Sequence, residues 1–425
     1  MTNPESSDLI QVKEYGAVPY TRLGAGVVQG LERVTLRLGI PVFRFSRTEL
    51  RARQYVGVIR AGGKTVQILP KIYNQDRDDL AFLVFLLSYT RKLALKPTGT
   101  AEYERLNGSF LEIWIRFFAT ECNWLLRHHP RRAYVEVEEP VGYVRGKLLS
   151  ERMRTGRERL TGTYPCRYEV FTADHLLNQV LKHCNRLLLS ATGVADTRVL
   201  LLENAALLAD VEDQAVHVRD LDDIHLNRLN SRYEPVLAMC RLLLSSSTLD
   251  LRAGRITQLA FVFDMNRLFE EFVAEFLRRH LDEIHLSDGS RYRSVAAQQP
   301  LGRLFGEFRM VVDLRLVHES GRPVLLDTKY KVLDEETGHA GLAQPDYYQV
   351  YAYGSAGDCP YDHIIVLYPA TGVTARTFAS SRLHVHVRSF DPRVVFDPSR
   401  GEINLQGAVR EFAQALSLDL SGSGQ

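Results

Sequence analysis

The sequence predicts a multidomain α+β protein with a β-rich N-terminal domain, a helical middle region and a C-terminal α/β domain. Short β-like runs dominate residues 1 to about 75, and apolar residues recur at helical spacing between residues 174 and 246. Strand-like alternation returns after Phe305. A chain of 425 residues is long enough for two or three domains, and we expect them at 1–165, 166–255 and 256–425.

The N-terminal domain is expected to contain a β-hairpin followed by helices. Two β-like runs, Val56–Ile59 and Thr65–Leu69, flank a turn that contains a Gly-Gly pair. Helices are predicted at Asp79–Lys92 and Leu106–Arg127, and a further β-like stretch covers Ala133–Val144. The apolar run at 80–87 is far shorter than the ~20 residues that span a bilayer, so it predicts a buried helix and no membrane contact.

Local charge is uneven although the net charge is only +2, so any contact with nucleic acid must come from a cluster of basic residues. The segment from Arg145 to Arg167 has seven Lys or Arg residues against two Glu residues. Two interpretations remain open for it: a solvated loop, or a basic arm that contacts phosphate or an acidic partner. The candidate contact residues are Arg145, Lys147, Arg152, Arg154 and Arg157.

The cysteines and the N-terminus indicate a reducing compartment. Five cysteines are scattered along the chain without a Cys-x-x-Cys pair, which is typical of free buried thiols. The segment Met1–Leu9 is polar, so we expect no signal peptide and a cytoplasmic location.

The region from Asn266 onwards contains the residues that indicate chemistry. A strongly amphipathic helix is predicted over Asn266–His280, in which Glu270 lies at the border of the buried face and Glu271 points away from it. A glutamate in that border position can reach a metal ion on a neighbouring sheet, or it can simply be an ordinary boundary residue.

A predicted hairpin follows this helix. Residues Phe308 to Leu316 alternate like a strand whose inward side chains include Met310, Val312 and Leu314, and Val324–Tyr330 forms the second strand. If the turn centres near Ser320, Asp313 lies directly opposite Asp327, with Cβ atoms about 4.5–5.5 Å apart. Lys329, two residues after Asp327, projects from the same face.

Two carboxylates held this close repel each other unless a cation lies between them, and their hard oxygen atoms suit Mg²⁺. Such a metal lowers the pKa of a bound water and polarises a phosphoryl oxygen, while Lys329 can orient the water, deprotonate it or neutralise charge. The alternative is a structural Asp–Lys ion pair at a strand end. Downstream, Gln349 and Tyr353 are four residues apart and therefore share a helix face, from which both can donate hydrogen bonds to a phosphate or a water.

The order of acid, Asp-x-Lys and Gln-x-x-x-Tyr resembles the PD-(D/E)xK nucleases, in the branch that includes the RecB-type nuclease domain. Other segments are similar to the McrC family, from about residue 50 to 370: Val56–Ile59, Ile68–Ile72, Arg145–Lys147, Leu229–Tyr233, Asn266–Glu270, Asp327–Tyr330, Tyr348–Gln349 and Leu367–Pro369. Asp327 stands where many members of the wider nuclease class have Glu, and either carboxylate can bind a metal.

The resemblance implies the nuclease subunit of an McrBC-type restriction system, which cuts double-stranded DNA that carries modified cytosine. It implies catalytic roles for Asp313, Asp327, Lys329, Glu270, Gln349 and Tyr353, with Mg²⁺ as cofactor and Mn²⁺ as an expected substitute. It also implies a partner, the AAA+ GTPase ring McrB, which reads the modified DNA and onto which the N-terminal half would dock. No Walker motif is present, so we do not expect this chain to hydrolyse GTP.

Two alternatives stay open at this point. The chain could be a stand-alone DNA nuclease or could serve a different motor. It could also be a regulatory scaffold that stimulates a GTPase without cutting DNA, although the intact Asp313, Asp327 and Lys329 argue against this.

Overall fold

The computed structural model describes residues 9–72, 76–90, 105–106, 108–153, 162–250, 255–304, 307–331, 344–354, 361–370, 375–380 and 383–418. The chain divides into two compact units. The first unit joins Met1–Phe110 with Phe261–Gln425, and the second unit is Leu111–Ala260. Residues distant in sequence thus share the first unit, and the mixed α+β architecture that the sequence predicts is confirmed.

The N-terminal part of the first unit consists of small sheets and helices. The predicted hairpin is present, with Ile59 paired to Val66 in an antiparallel ladder. A further strand joins its second strand in parallel, from Leu9↔Thr65 onwards. The elements are β1 (Leu9–Lys13), β2 (Ala17–Pro19), α1 (Tyr20–Leu23), α2 (Ala25–Leu38), β3 (Phe43–Phe45), β4 (Glu49–Ala52), β5 (Tyr55–Ala61), β6 (Lys64–Leu69) and α3 (Asp76–Tyr89). The apolar run at 80–87 lies in α3 and is buried, as predicted.

The second unit contains a helical layer and a three-stranded antiparallel sheet. Its elements are α4 (Phe110–His128), β7 (Ala133–Val141), β8 (Lys147–Leu148), α5 (Ser150–Met153), β9 (Tyr164–Thr172), α6 (Leu176–Leu189), α7 (Ala195–Leu207), the 3-10 helices Val218–Asp223 and Ser231–Tyr233, α8 (Glu234–Ser246) and β10 (Ser247–Asp250). The sheet has the order β7-β9-β8. Cys122, Cys166, Cys184 and Cys240 are free and buried, in agreement with the expectation for these four cysteines.

The C-terminal part of the first unit is built on a six-stranded mixed sheet of order β12-β13-β14-β15-β17-β16. Its elements, with the strand that leads into it, are β11 (Arg255–Asp264), α9 (Met265–His280), the 3-10 helix Leu281–Glu283, β12 (Tyr292–Leu304), β13 (Phe308–His318), β14 (Pro323–Thr328), α10 (Gln344–Gly354), β15 (His363–Pro369), β16 (Ala375–Ala379), β17 (His384–Phe390), α11 (Pro392–Val395), β18 (Phe396–Asp397), β19 (Glu402–Ile403) and α12 (Leu405–Leu416). β12, β13 and β14 are antiparallel, whereas β14, β15 and β17 run parallel.

Helix α9 covers the antiparallel part of this sheet. Asp264 caps it, because its Oδ1 accepts a hydrogen bond of 2.9 Å from the amide of Asn266. Apolar residues at helical spacing, from Leu268 to Leu277, are buried, and Phe269 stacks on Phe390 with ring centroids 5.5 Å apart. Each buried phenylalanine stabilises the fold by roughly 1.5–3 kcal/mol, so the position of α9 on the sheet is firmly held.

The predicted segment boundaries at 165 and 255 lie within strands. β9 pairs with β7 from Tyr164↔Val141 to Thr172↔Ala133, so a boundary at 165 would divide a continuous ladder. Position 255 begins β11, whose early residues pair with β10 and whose end leads into α9. The three domains at 1–165, 166–255 and 256–425 stay a prediction. No helix in the described ranges is long and apolar enough to cross a membrane.

Candidate active site

The site is built on the β13–β14 hairpin. The ladder runs from Val317↔Pro323 to Leu314↔Leu326, and one further step in this register places Asp313 opposite Asp327. This is the register that the sequence predicts. Met310, Val312, Leu314 and Leu316 are buried, as expected of the inward face. Strand alternation and a short turn were therefore sufficient to bring the two carboxylates together.

Asp313 and Asp327 lie in different environments. The half-buried Asp313 accepts two hydrogen bonds of 2.8 Å at Oδ2, from the amide and the hydroxyl of Thr328. Asp327 is only 1% exposed, and among the described residues its Oδ1 has no hydrogen-bond partner. The pKa of Asp327 is about 6 in total, raised mainly by burial; the charge of Lys329 lowers it and that of Asp313 raises it. Burial and the charge of Asp313 thus disfavour the ionised form of Asp327, and a bound divalent cation would favour it.

Lys329 lies at the centre of the site. Its Nζ is 2.7 Å from Oδ2 of Asp327 and donates a hydrogen bond of 2.9 Å to Oε1 of Gln349. The backbone of Lys329 continues the sheet beyond β14, since its amide donates to the carbonyl of Leu367 at 2.9 Å. Burial opposes the positive charge, but the carboxylates of Asp327 and Asp313 outweigh that effect and raise the pKa of Lys329. The side chain is therefore an ammonium ion at neutral pH.

The Gln349–Tyr353 pair lies on α10, as the spacing predicts. Nε2 of Gln349 donates to the hydroxyl of Tyr353 at 2.6 Å, and that hydroxyl donates to the carbonyl of Val311 at 3.0 Å. Gln349 is exposed whereas Tyr353 is buried. Because the Tyr353 hydroxyl donates its proton to the carbonyl of Val311, it is not free to donate to a ligand. It accepts from Gln349 instead and so holds the Gln349 amide in place at the site.

Glu270 lies close to this group from α9. It is half-buried, and Nε2 of Gln298 donates a hydrogen bond to its Oε1. Burial, with Asp313 as the next cause, raises the pKa of Glu270 to about 7. Glu271, in contrast, pairs with Arg267 at 3.0 Å. Glu270 is thus near enough to the two aspartates for their charges to act on it, while Glu271 is also half-buried and does not point away from the buried face as predicted.

Two residues of the site were not predicted from the sequence. Thr328 is the middle residue of the Asp-x-Lys motif, and its hydroxyl holds Asp313. Gln298 comes from β12, a strand without any motif that points to chemistry. For Thr328 the signal was present, because it follows Asp327, the residue opposite Asp313, and its hydroxyl can donate to a nearby carboxylate. For Gln298 no local pattern in the sequence indicates a role.

The donor set fits a hard divalent cation, because carboxylate oxygens are the ligands that Mg²⁺ prefers and Asp327 Oδ1 is buried with no hydrogen-bond partner in the part of the chain that the structure describes. Within the described ranges, however, no three His, Cys, Asp or Glu side chains are arranged closely enough to hold a metal ion as they stand. Thr328 holds Asp313, Lys329 pairs with Asp327 and Gln298 holds Glu270. Metal binding would require Asp313 and Asp327 to exchange protein partners for the ion, whereas Glu270 could keep Gln298 on Oε1 and offer its other oxygen.

The predicted basic residues lie in the second unit. Arg145 stacks over the ring of Tyr168, with its guanidinium carbon 4.2 Å from the ring centroid, and Arg152 pairs with Glu138 at 2.8 Å. Lys147 is exposed on β8. Arg154 and Arg157 lie outside the described residues. Arg145 and Arg152 thus pack on the β7–β9 hairpin, which indicates an ordered surface rather than a wholly solvated loop.

Comparisons with known proteins give one family match and several structural matches. The family profile described as "McrBC 5-methylcytosine restriction system component" matches residues 50–369. No curated protein matches the chain in sequence.

Two solved structures from Thermococcus gammatolerans share the fold. A chain of the refined half-complex from the tetradecameric assembly of McrB AAA+ hexamers with bound McrC has a TM-score of 0.74 and 19% identity, over 95% of this chain and 99% of that one. A chain of the McrBC complex determined by cryo-electron microscopy has a TM-score of 0.51 and 22% identity, over 64% of this chain and 88% of that one.

Proposed function

Since the chain belongs to the family of McrBC 5-methylcytosine restriction system components, we propose that it is the endonuclease subunit of a GTP-dependent system that cuts DNA carrying methylated cytosine. The observation that supports this most strongly is the meeting of Asp313, Asp327 and Lys329 at one end of a buried hairpin. Opposed carboxylates with an adjacent ammonium form a set suited to the hydrolysis of phosphodiesters.

Asp313 and Asp327, with Glu270 beside them, would hold Mg²⁺ or Mn²⁺. The ion would supply an acidified water and neutralise charge on the phosphate. Asp327 is well suited to the task because it is buried and its Oδ1 is unpaired among the described residues. Metal binding would also offset the repulsion between the opposed carboxylates.

Lys329 would act as a cation and not as the base. Its raised pKa keeps the proton on Nζ, and Asp327 and Gln349 fix the direction in which that group points. A fixed ammonium group can orient the attacking water and stabilise the negative charge that develops on the phosphate. Gln349, held by Tyr353, would add a second oriented polar group.

The partner that we propose is a ring of AAA+ GTPase subunits like McrB. The proposal is supported by the fold that this chain shares with a chain of the assembly of McrB hexamers with bound McrC. The partner would recognise the methylated cytosine and hydrolyse GTP, since this chain has no Walker motif. This chain would dock on the ring and stimulate its hydrolysis.

The β7–β9 hairpin of the second unit is the docking surface that we propose. Tyr134, Tyr143 and Phe171 expose 69%, 68% and 54% of their area, and the rings of Tyr134 and Phe171 pack 5.1 Å apart. Exposed aromatic side chains next to basic residues are typical of protein interaction sites. Arg145 and Lys147 lie beside this surface and would favour an acidic or phosphate-bearing partner.

The test combines the purified chain with its AAA+ partner, GTP, Mg²⁺ and a plasmid with or without 5-methylcytosine. We expect only the methylated plasmid to be cut. The Asp327→Asn variant should stimulate GTP hydrolysis like the native chain and leave the DNA uncut. Asp288→Asn, at an exposed turn where Asp288 accepts from the amide of Ser290 at 2.9 Å, serves as the matched control and should cut normally.

Near-normal cleavage by Asp327→Asn would show that this site does not catalyse the reaction. Cleavage by the native chain without any partner would favour a stand-alone nuclease. Stimulated GTP hydrolysis without cleavage, in every condition that supports DNA binding, would favour the non-cleaving scaffold.

A further inference from the structure

We infer that Gln298 is a positioning residue that holds the Glu270 carboxylate against the aspartate pair, and that its backbone is strained in order to do so. The inference rests on the proposed function of the site. It concerns a residue of β12 that no motif identifies.

The backbone of Gln298 is unusual for its place in the sheet. The β12–β13 ladder pairs Ala297 with Leu314 and Gln299 with Val312, so Gln298 stands in register opposite Asp313. Its φ is 51°, in the left-handed region that residues other than glycine rarely adopt. The same ladder shifts register between Pro300 and Gly302, but the residues on both sides of Gln298 are paired. A strained backbone between paired residues persists only where the surroundings hold it, and such residues cluster at functional sites.

The side chain of Gln298 has a specific partner. Its Nε2 donates a hydrogen bond to Oε1 of Glu270, which reaches the site from α9. Gln298 is exposed and Glu270 is half-buried, so the contact lies at the open rim of the site. The neighbouring residue, Gln299, does not share this arrangement, because its Nε2 donates to the carbonyl of Ala297 at 3.0 Å.

The hydrogen bond opposes an electrostatic force. The carboxylates of Asp313 and Asp327 both repel the charge of Glu270, and the rim of the site gives that side chain room to turn into solvent. The amide of Gln298 is neutral, so it can hold Glu270 without adding a charge that would compete with a divalent cation. Without the amide, Glu270 should leave the site and the metal should bind more weakly.

The experiment measures cleavage of methylated plasmid by the complete complex as a function of Mg²⁺, with GTP hydrolysis followed in the same reactions. Loss of a side chain that orients a metal ligand typically costs roughly 10–100-fold in metal affinity or activity. We expect Gln298→Gly to lose cleavage per GTP hydrolysed by about that factor and to need more Mg²⁺. Gln299→Gly is the matched control and should retain cleavage.

The stability of the Gln298→Gly variant distinguishes a positioning role of Gln298 from a structural one. Glycine adopts a φ of 51° without strain, so Gln298→Gly should unfold at a denaturant concentration no lower than the native chain does. Cleavage activity would thus fall while stability is retained. Gln298→Asn, which keeps an amide and tolerates the left-handed backbone, should recover part of the cleavage. Adding Gln298→Gly to Glu270→Gln should cause little further loss, since the two residues act together.

Each result is decisive. Normal cleavage and Mg²⁺ dependence of Gln298→Gly, beside an inactive Asp327→Asn, would overturn the inference and leave the proposed function intact. Additive losses in the Glu270→Gln double variant would also overturn it. Absence of cleavage by the native complex would overturn the proposed function itself and the inference with it.

Discussion

At the scale of single residues, several carboxylates in the first unit are buried at an electrostatic cost. Asp327 is one, and its position beside Lys329 suits metal binding. Glu14 is another, far from the hairpin in sequence. It is 3% exposed, and its Oε1 accepts a hydrogen bond of 3.3 Å from the amide of Lys71. Burial raises the pKa of Glu14 from 4.5 to about 7.

This shift predicts a pH dependence of stability. Below pH 4.5 both the folded and the unfolded chain hold the proton. As the pH rises from 4.5 to about 7, the unfolded carboxyl ionises while the folded one keeps its proton, so the free energy of unfolding falls and then levels off. For a group this buried the loss should amount to about 3 kcal/mol at most.

The Glu14→Gln variant isolates this effect, because glutamine has nearly the same shape and does not titrate. We expect the variant to lose less stability than the native chain between pH 4.5 and pH 7, and to be the more stable protein at pH 8. Chemical denaturation across this range gives the comparison. Parallel curves for the two proteins would mean that Glu14 does not carry the cost assigned to it.

At the scale of secondary-structure elements, the approach of β11 to β5 decides where α9 begins. β11 leads directly into α9, and the amide of Met265 donates to the carbonyl of Gln54 at 2.9 Å. Gly57 of β5 has a φ of 124°, and a Cβ atom there would lie 2.0 Å from the carbonyl oxygen of Phe261. Only glycine allows the two strands to come this close.

We therefore predict that Gly57→Ala destabilises the fold by about 2–5 kcal/mol, the sum of backbone strain and steric overlap. It should also lower cleavage, since displacement of Phe261 moves the start of α9 and with it Glu270. Gly26→Ala is the control: a Cβ atom there meets nothing within 4 Å, and alanine suits its helix. Equal unfolding midpoints for the two variants would contradict the steric argument.

The β7–β9 hairpin gives a prediction at the same scale. Replacing both Tyr134 and Phe171 with serine should weaken binding of the AAA+ ring by at least about tenfold, which corresponds to about 1.4 kcal/mol. These side chains are largely exposed, so the fold should be unaffected. Leu36→Ser, at an 80% exposed position on α2, is the control. Pull-down and GTPase assays give the readout, and unchanged stimulation by the double variant would exclude this surface.

At the scale of the whole molecule, we predict that the chain binds divalent cations without its partner. Mn²⁺ should raise the thermal unfolding midpoint, since a ligand that binds only the folded state stabilises it by about 1.4 kcal/mol at ten times its Kd. Asp327→Asn should abolish the shift and Asp288→Asn should preserve it. In the complete complex, cleavage should occur with Mg²⁺ or Mn²⁺, fail with Ca²⁺ and stop in excess EDTA.

An identical Mn²⁺ shift in the native chain and in Asp327→Asn would place the metal elsewhere. Undiminished DNA cleavage in excess EDTA would exclude the metal mechanism altogether. The binding measurement on the isolated chain is needed because hydrolysis of GTP by the partner also depends on Mg²⁺.

The sequence by itself determined the local geometry of the site. Alternation with a period of two residues and a short turn place Asp313 opposite Asp327, and helical spacing places Gln349 one turn from Tyr353. It also placed Glu270 at the border of the buried face of α9. These features follow from residues that are neighbours along one strand, one hairpin or one helix, where the chain itself fixes the distances.

Only the tertiary structure decided which distant residues complete the site. Gln298 is 28 residues from Glu270, and its role depends on a backbone angle that no sequence pattern encodes. The contact of Lys329 with Gln349 depends on how α10 packs beside β15. The division into units likewise joins Met1–Phe110 with the C-terminal sheet, although 150 residues separate them. Such contacts arise from the packing of whole elements, and the order of residues along the chain does not fix them.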